Sequence, residues 1–531
     1  MSGTITVRVT AINADVLIIG GGMAAAWAAI AAAKAGASTV LVDKGYVGTS
    51  GVTATGGPNH WWIPPDPVLR REAIEKRQAA GLGLGDPAWM ERVIDTTWRT
   101  LPDLSHYYPF GSDGNGGRYY RGVRGPDYMR ALRTYATAAG ARILDHHPAT
   151  QLLVDEEGAV TGARGHARLL GEDWEIQAGA VILATGGCAF RSGLIGSHGN
   201  TGDGYLLAAE AGAELSGMEF SIQYSVSPAW ASTRTLPFSA ARYYDQRGVE
   251  IIPPPRGHGH YQALGAALLK GAVYADLIDA PAELLPILGN IQPFTPPPFV
   301  RKGIDLFRER WPIKLFGEGT IRGNGGLRIA DEDCGTTVAG LYAAGDAATR
   351  ELAAGAISGG GAVNSAWALT SGQIAGAAAA RRALSFRNRP SRRARATGTV
   401  GIHPASAERP IDRKVIEADI DHHMNGYQHS LWRSEGQLTD TLTLLDQHWR
   451  TLGDHGRAAG LVLVGLRETA AMTATARWCT AAALARKESR GIHVRADAPG
   501  LRPDGAVRLL CGGLDRVWTR PESRHHTEAA E

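Results

Sequence analysis

Residues Asp15 to Ile19 form a short apolar run ending in glycine, the pattern of a parallel strand buried on both faces. Gly20 to Ala25 reads Gly-Gly-Gly-Met-Ala-Ala, a GxGxxA match. The small residues Ala26 to Ala35 then predict a helix, and Thr39 to Val42 a second apolar strand closed by Asp43. This is a βαβ order with an acid about 20 positions after the glycines, as a dinucleotide fingerprint requires. Gly20 permits the tight turn, Gly22 lets backbone approach a pyrophosphate, and Ala25 lets helix and strand pack closely. The helix N-terminus adds partial positive charge, and Asp43 is placed to accept hydrogen bonds from ribose hydroxyls.

The pattern recurs further on. Val181 to Gly187 and Gly340 to Asp346 are apolar strands that end in glycines, the second carrying an acid. Gly359 to Trp367 opens an alanine-rich helix running to about Ala383. Thr49 to Gly57 is too small and polar for a core segment. Leu438, Leu442, Leu444, Leu445 and Trp449 recur near helical spacing, and Leu461 to Lys487 predicts a second long helix. An NAD enzyme needs none of these later elements, whereas a flavin with its ribityl chain and bulky ring does.

Composition narrows the classes. At 531 residues the chain exceeds one ordinary domain, and 44% hydrophobic with 20% charged residues is globular. A net charge of +3 lacks the basic excess of a nucleic-acid binder. Cys188, Cys334, Cys479 and Cys511 are scattered with no CxxC pair, against a disulfide scaffold, a zinc site or an iron–sulfur cluster held by this chain. His146 and His147, like His422 and His423, lack an evident third ligand, so no metal site is expected. Met1 to Asn13 shows no signal pattern, and Met23 to Ala37, interrupted by Lys34, is too short and weakly apolar to span a bilayer. The expectation is a cytoplasmic protein without a transmembrane segment.

These motifs, together with Asn200 to Gly204, Gly217 to Phe220, Arg467-Glu468, Met472 and Ala485 to His493, resemble the succinate dehydrogenase/fumarate reductase flavoprotein family. That family, of FAD-dependent oxidoreductase 2 type, includes L-aspartate oxidase and the α chain of adenylylsulfate reductase. The resemblance implies an α/β fold: a Rossmann-like FAD-binding domain with an inserted α+β capping domain and a C-terminal helical domain. The implied bounds are 1–230 and 330–385 for the FAD domain, 231–329 for the cap, 386–411 for an arginine-rich linker and 412–531 for the helical domain. It further implies that FAD is held by Gly20, Gly22, Met23, Ala24, Asp43, Lys44, Ser50, Gly51, Thr55, Gly56 and Gly57. The set continues with Ala184, Thr185, Gly186, Asp203, Gly345, Asp346, Gly361, Asn364 and Ser365. Asp346 would bind the ribityl hydroxyls, and the helix start at Asn364 and Ser365 would face the N1/O2 edge of the ring. Arg486, Lys487, Glu488 and Arg490 read as a structural ion-pair network.

The family's substrate chemistry is incomplete here. Ser50 stands where covalent members carry the FAD-linking histidine, so the resemblance implies noncovalent FAD. Gln223 to Val226 replaces a His-Pro-Thr segment, Ile321 replaces a histidine, and Gly360 replaces an arginine. A buried carboxylate that loses a charge-assisted partner loses several kcal/mol, so a dicarboxylate fits poorly. Arg256, as anion-binding or proton-donating group, and His258, as acid/base, are the catalytic candidates, the alternative being a loop that simply caps the domain. His60, Trp61 and Trp62 either line the substrate side or pack in the core, and Tyr224 and Arg322 are further pocket candidates. The implied activity is hydride transfer between flavin and a small non-dicarboxylate substrate. Electrons would pass to a ferredoxin-like or other electron-transfer protein, or to a diffusible acceptor. A non-catalytic flavin relay and a protein of adenylylsulfate-reductase type stay as alternatives.

Overall fold

The fold comes from a computed structural model that describes residues 9–523, apart from 113, 115, 234–239, 255–256, 285–287, 289–291 and 388–392. Strand Val9–Ile19 lies at the centre of an eight-stranded sheet, parallel to Thr39–Val42 on one side and Glu172–Leu183 on the other. Register is fixed by pairs such as Ile18 with Leu41 and Ile18 with Ile182. Val16, Leu17 and Ile18 are fully buried, as an unbroken apolar run in a parallel sheet must be. Glu172–Leu183 carries two roles along its length. Its first half pairs antiparallel with Val160–Ala167, and its last residues pair parallel with Leu341–Ala343. The three strands that end in glycine therefore finish side by side at one edge of the sheet.

The helix Met23–Lys34 has no polar face because it is covered on every side; Trp27, Ala28 and Ala29 are inaccessible. The long helix Gly360–Phe386 crosses it at small residues. A Cβ on Gly372 would stand 2.5 Å from the Ala24 carbonyl oxygen, and one on Gly376 2.4 Å from that of Ala28. Only glycine at these two positions, four residues apart on one helix face, allows the approach.

A second, antiparallel sheet joins Glu250–Ile251, Arg242–Tyr244, Tyr274–Asp276, Trp311–Gly317 and Tyr224–Pro228 in that order. It has its own core, in which Tyr243, Tyr261, Leu264, Phe299 and Trp311 meet. A third, of four strands, ties Leu509–Gly512 and Trp518–Pro521 to Leu215–Ser216 and Gly326–Leu327. Helices Arg413–Asn425, Glu435–His455 and Gly460–Ala485 precede those C-terminal strands. Arg486 bridges the buried Glu219 at 2.7 Å and Glu488 at 3.0 Å, and Arg490 joins Glu488 at 2.7 Å. Lys487 stands outside this network, exposed and 3.7 Å from Glu435.

Several expectations are corrected. The first strand begins at Val9 and the first helix at Met23, earlier than the apolar pattern indicates; backbone pairing with residues 173–178 extends the strand although Thr10 and Asn13 stay exposed. Within 386–411, Arg395–Ala396 pairs with Val154 and Leu153 as an edge strand; its backbone joins the sheet while Arg395 points to solvent. The stretch 412–531 is helical as expected, and two strands at its end also complete the third sheet. The second sheet also takes in Tyr224–Pro228, ahead of residue 231.

Candidate functional site

At the glycine edge of the main sheet the chain leaves a cavity of about 580 Å³. Gly20 ends its strand at φ +120°, where a Cβ would lie 2.2 Å from the Ala184 carbonyl oxygen. Gly22 caps the helix Met23–Lys34, and nothing stands within 4 Å of where its Cβ would be. The turn thus needs glycine twice for opposite reasons: Gly20 is crowded by protein, and Gly22 opens towards empty space.

Asp43 closes the second strand and is buried. Its Oδ2 accepts from the Gly45 N–H at 3.1 Å and from the Ser50 hydroxyl. Burial raises its pKa, with those two hydrogen bonds working in the other direction. Next to it, the Lys44 ammonium lies 2.6 Å from Asp203 and 3.1 Å from Glu468, and donates to the Thr201 hydroxyl at 2.8 Å. Burial opposes the lysine charge, yet the two carboxylates outweigh it and its pKa ends raised. Glu468 also meets Arg191 at 2.7 Å and Arg168 at 3.4 Å. Burial alone would push its carboxyl up, but Lys44 and the two arginines hold it below the ordinary glutamate value.

The opposite wall is the start of helix Gly360–Phe386. Asn364 opens its second turn, and both its Oδ1 and Nδ2 are shielded without a hydrogen-bond partner among the described residues. Such a side chain is costly to leave unpaired unless a ligand completes it. Asp346 accepts from Arg350, which is fully buried and also donates to the carbonyls of Thr320 at 2.7 Å and Ile321 at 2.9 Å. Arg350 therefore fixes Asp346 relative to the short helix Gly319–Arg322.

All but one of the residues expected to hold FAD line this cavity, from the Gly20 turn to Ser365. Thr55 is the exception. The turn Val52–Thr55 presents Thr53 to the cavity and directs the Thr55 hydroxyl to the carbonyls of Val52 at 3.2 Å and Ile195 at 3.3 Å.

The substrate-side candidates divide. Arg322 lines the cavity. His60 does not: its Nε2 lies 3.3 Å from the Tyr128 hydroxyl, in a buried position that lowers its pKa to about 4. Trp61 is half-buried against the main core, and Trp62 stacks on Trp98 with ring centroids 4.2 Å apart. Tyr224 donates to the Asn425 carbonyl at 3.1 Å, away from the cavity wall. His258 opens the helix His258–Leu268 and is buried; burial, and then the Arg433 cation, lower its pKa to about 4. It too is absent from the cavity wall. Arg256 lies outside the described residues.

The structure adds wall residues that sequence spacing missed, notably His147, Arg168, Arg191, His198 and Arg413. The Asn200 to Gly204 and Arg467-Glu468 motifs had marked that side of the cavity. Among the described residues no group of three His, Cys, Asp or Glu side chains is arranged to hold a metal ion. No described helix is long and apolar enough to cross a membrane.

Comparison with known proteins agrees with this geometry. Residues 15–228 match the FAD binding domain family model, and residues 427–509 match the fumarate reductase flavoprotein C-terminal model. The chain is 27% identical to one of the subunits of the fumarate reductase (CoM/CoB) of Methanothermobacter marburgensis, over 93% of this chain and 96% of that protein. It is 28% identical to L-aspartate oxidase of Mycobacterium tuberculosis, over 94% and 96% respectively. In fold it is similar to quinol fumarate reductase of E. coli, with TM-score 0.79, 20% identity and coverage of 97% and 96%. Adenylylsulfate reductase from Archaeoglobus fulgidus gives TM-score 0.78 at 20% identity, over 97% and 96%. With a glycine-built nucleotide cavity, two family matches and near-full-length relatives in agreement, the chain belongs to the succinate dehydrogenase/fumarate reductase flavoprotein family and is an FAD-dependent oxidoreductase.

Proposed function

We propose that the protein moves a hydride between a noncovalently held FAD and a small substrate that is not a dicarboxylate. The observation that carries this is the fit of the cavity to the cofactor. Its volume of about 580 Å³ lies within the range of cofactor pockets, roughly 300–1,000 Å³. Gly22 and Gly360 leave open space where a side chain would stand, and Asn364 keeps both amide atoms unpaired. Bound there, the flavin supplies the hydride donor or acceptor at its N5.

The residues around it orient and polarise. The backbone from Gly20 to Ala24 and the helix behind it receive the pyrophosphate, Asp43 takes the ribose hydroxyls, and Asp346 takes the ribityl chain. Asn364 and Ser365, at the positive end of the long helix, stabilise negative charge on the N1/O2 edge. Ser50 supports noncovalent binding, because its hydroxyl is engaged with Asp43 and is a weak nucleophile. The apolar Ile321 and bare Gly360 on the wall support a substrate other than a dicarboxylate. Arg256 stays in this reading as an anion-binding or proton-donating group. His258 does not, since it is buried and is not among the residues of the cavity wall.

The electrons go on to an electron-transfer protein of ferredoxin type or to a diffusible acceptor. The Methanothermobacter relative is by name one component of a multi-chain enzyme, which supports the first. The four buried, unpaired cysteines suit a reducing compartment such as the cytoplasm. Anaerobic photoreduction followed by a screen of small molecules tests the proposal. Reoxidation by a small molecule in a concentration-dependent manner is expected. Reoxidation by a partner protein and by no small molecule would replace this reading with that of an electron relay.

A further inference from the structure

Five lysine and arginine side chains line the cavity: Lys44, Arg168, Arg191, Arg322 and Arg413. Four of them have a carboxylate partner, three carboxylates being shared among the four. Lys44, Arg168 and Arg191 share Glu468, and Arg413 meets Glu417 at 3.4 Å. Arg322 differs. Among the described residues it has no carboxylate within 4.0 Å and donates no hydrogen bond, and its Nε is shielded with no partner.

Its position gives that spare charge a direction. Arg322 ends the short helix Gly319–Arg322, which follows directly from strand Trp311–Gly317 of the second sheet. It stands near enough to Tyr261, in that sheet's core, for its charge to act on the phenol, which burial pushes up to about 12. Arg322 thus lies where the second unit meets the cavity, whereas the Gly20 turn and the Lys44 network lie on the FAD-binding sheet. Its wall neighbours Ile321 and Gly360 carry no charge. A guanidinium that is partly desolvated and unpaired is unfavourable until an anion meets it, and its planar fork matches an oxyanion bidentately.

We infer that the substrate carries a single oxyanionic group, seated on Arg322, and is otherwise neutral. This rests on the proposed flavin chemistry of the same cavity and names the substrate class for it. Among the described wall cations Arg322 alone lacks a carboxylate partner, which suits one negative group seated there; a second carboxylate beside Ile321 and Gly360 would meet no charge at those two positions.

The test uses FAD-loaded protein and follows perturbation of the flavin absorbance. Acetate, benzoate and phenylacetate are each titrated against acetamide, benzamide and phenylacetamide, with succinate as the dianion. At least one acid should act at a tenfold or more lower concentration than its amide, and succinate should not surpass the monoacids. Arg322→Gln should raise the effective acid concentration at least tenfold without moving the amide response, and Arg322→Lys should recover part of the loss. Acids and amides that act alike, or an unchanged acid response in Arg322→Gln, would overturn the inference. An Arg322→Gln protein that folds but retains no FAD would assign the residue to the cofactor, also overturning it. Wild-type protein purified and reconstituted without bound FAD would instead bring down the underlying reading.

Discussion

The two ends of the cavity are built on opposite terms. Around Lys44 every charged group has an ionic partner: Asp203 and Glu468 face the ammonium, and Arg168 and Arg191 share the glutamate. Around Asn364 and Arg322 the polar groups are left over, with Asn364 Oδ1 and Nδ2 and Arg322 Nε shielded and unpaired. A closed ion network gives a rigid wall whose shape and backbone hold a fixed ligand. Unpaired groups keep their hydrogen-bonding capacity for what arrives, and charge that develops in a reaction is best met by such preorganised partners.

This contrast can be broken at its strongest point first. Glu468→Ala would leave Lys44, Arg168 and Arg191 facing one another with one carboxylate fewer. The network is partly buried, so removing one partner should cost roughly 3 kcal/mol, the low end for a buried pair, and denaturant unfolding should show a loss of that size. A loss below about 1 kcal/mol would mean that the nucleotide end is not held by its charges.

The next effect separates groups on the wall from those behind it. His60 and His258 have their pKa lowered from 6.5 to about 4 by burial. Above pH 6.5 neither state binds the proton, so there is no contribution. Between 6.5 and 4 the unfolded chain takes up protons that the folded chain refuses, and stability falls as pH falls. The loss is on the order of 3 kcal/mol per histidine at 1.36 kcal/mol per pKa unit. Urea unfolding at pH 7.5 and 4.5 should show a smaller difference in the His60→Gln, His258→Gln double variant than in wild type.

Asn364→Ala sharpens the other side of the comparison. It removes an unpaired polar group, so it should leave stability within about 0.5 kcal/mol or raise it slightly, while FAD affinity falls roughly tenfold. Equal losses of both would make Asn364 structural. The smallest effect is expected for Thr55→Val, which loses hydrogen bonds to Val52 and Ile195 and costs about 1 kcal/mol. FAD affinity should not change.

How much of this was legible follows from the range of each signal. The Gly20 turn, Asp43 and the Asn364 helix start are local patterns, in which glycine spacing and apolar runs dictate the backbone. Thr55 was misplaced because a single turn of 3₁₀ helix sends Thr53 and Thr55 in different directions. His60, Trp61 and Trp62 directly follow the glycine pair, yet the chain there turns away into the cluster of Trp98, Tyr120 and Tyr128. Arg413 and Glu468 reach the cavity from helices hundreds of positions beyond the first glycines, and no periodicity announces that. His258 opens a helix, and its ring meets the Leu431 backbone and feels the Arg433 charge, contacts invisible to spacing.

The central claim is that FAD lies unlinked in this cavity, its ring turned to Asn364 and Arg322. A crystal structure of the FAD-loaded protein tests it most directly. The account predicts density for FAD along the Gly20 turn and the Asn364 helix, with the ring within hydrogen-bonding distance of Asn364 and no continuous density to any side chain. Density joining the flavin to a protein atom, or a flavin bound outside the cavity, would contradict it.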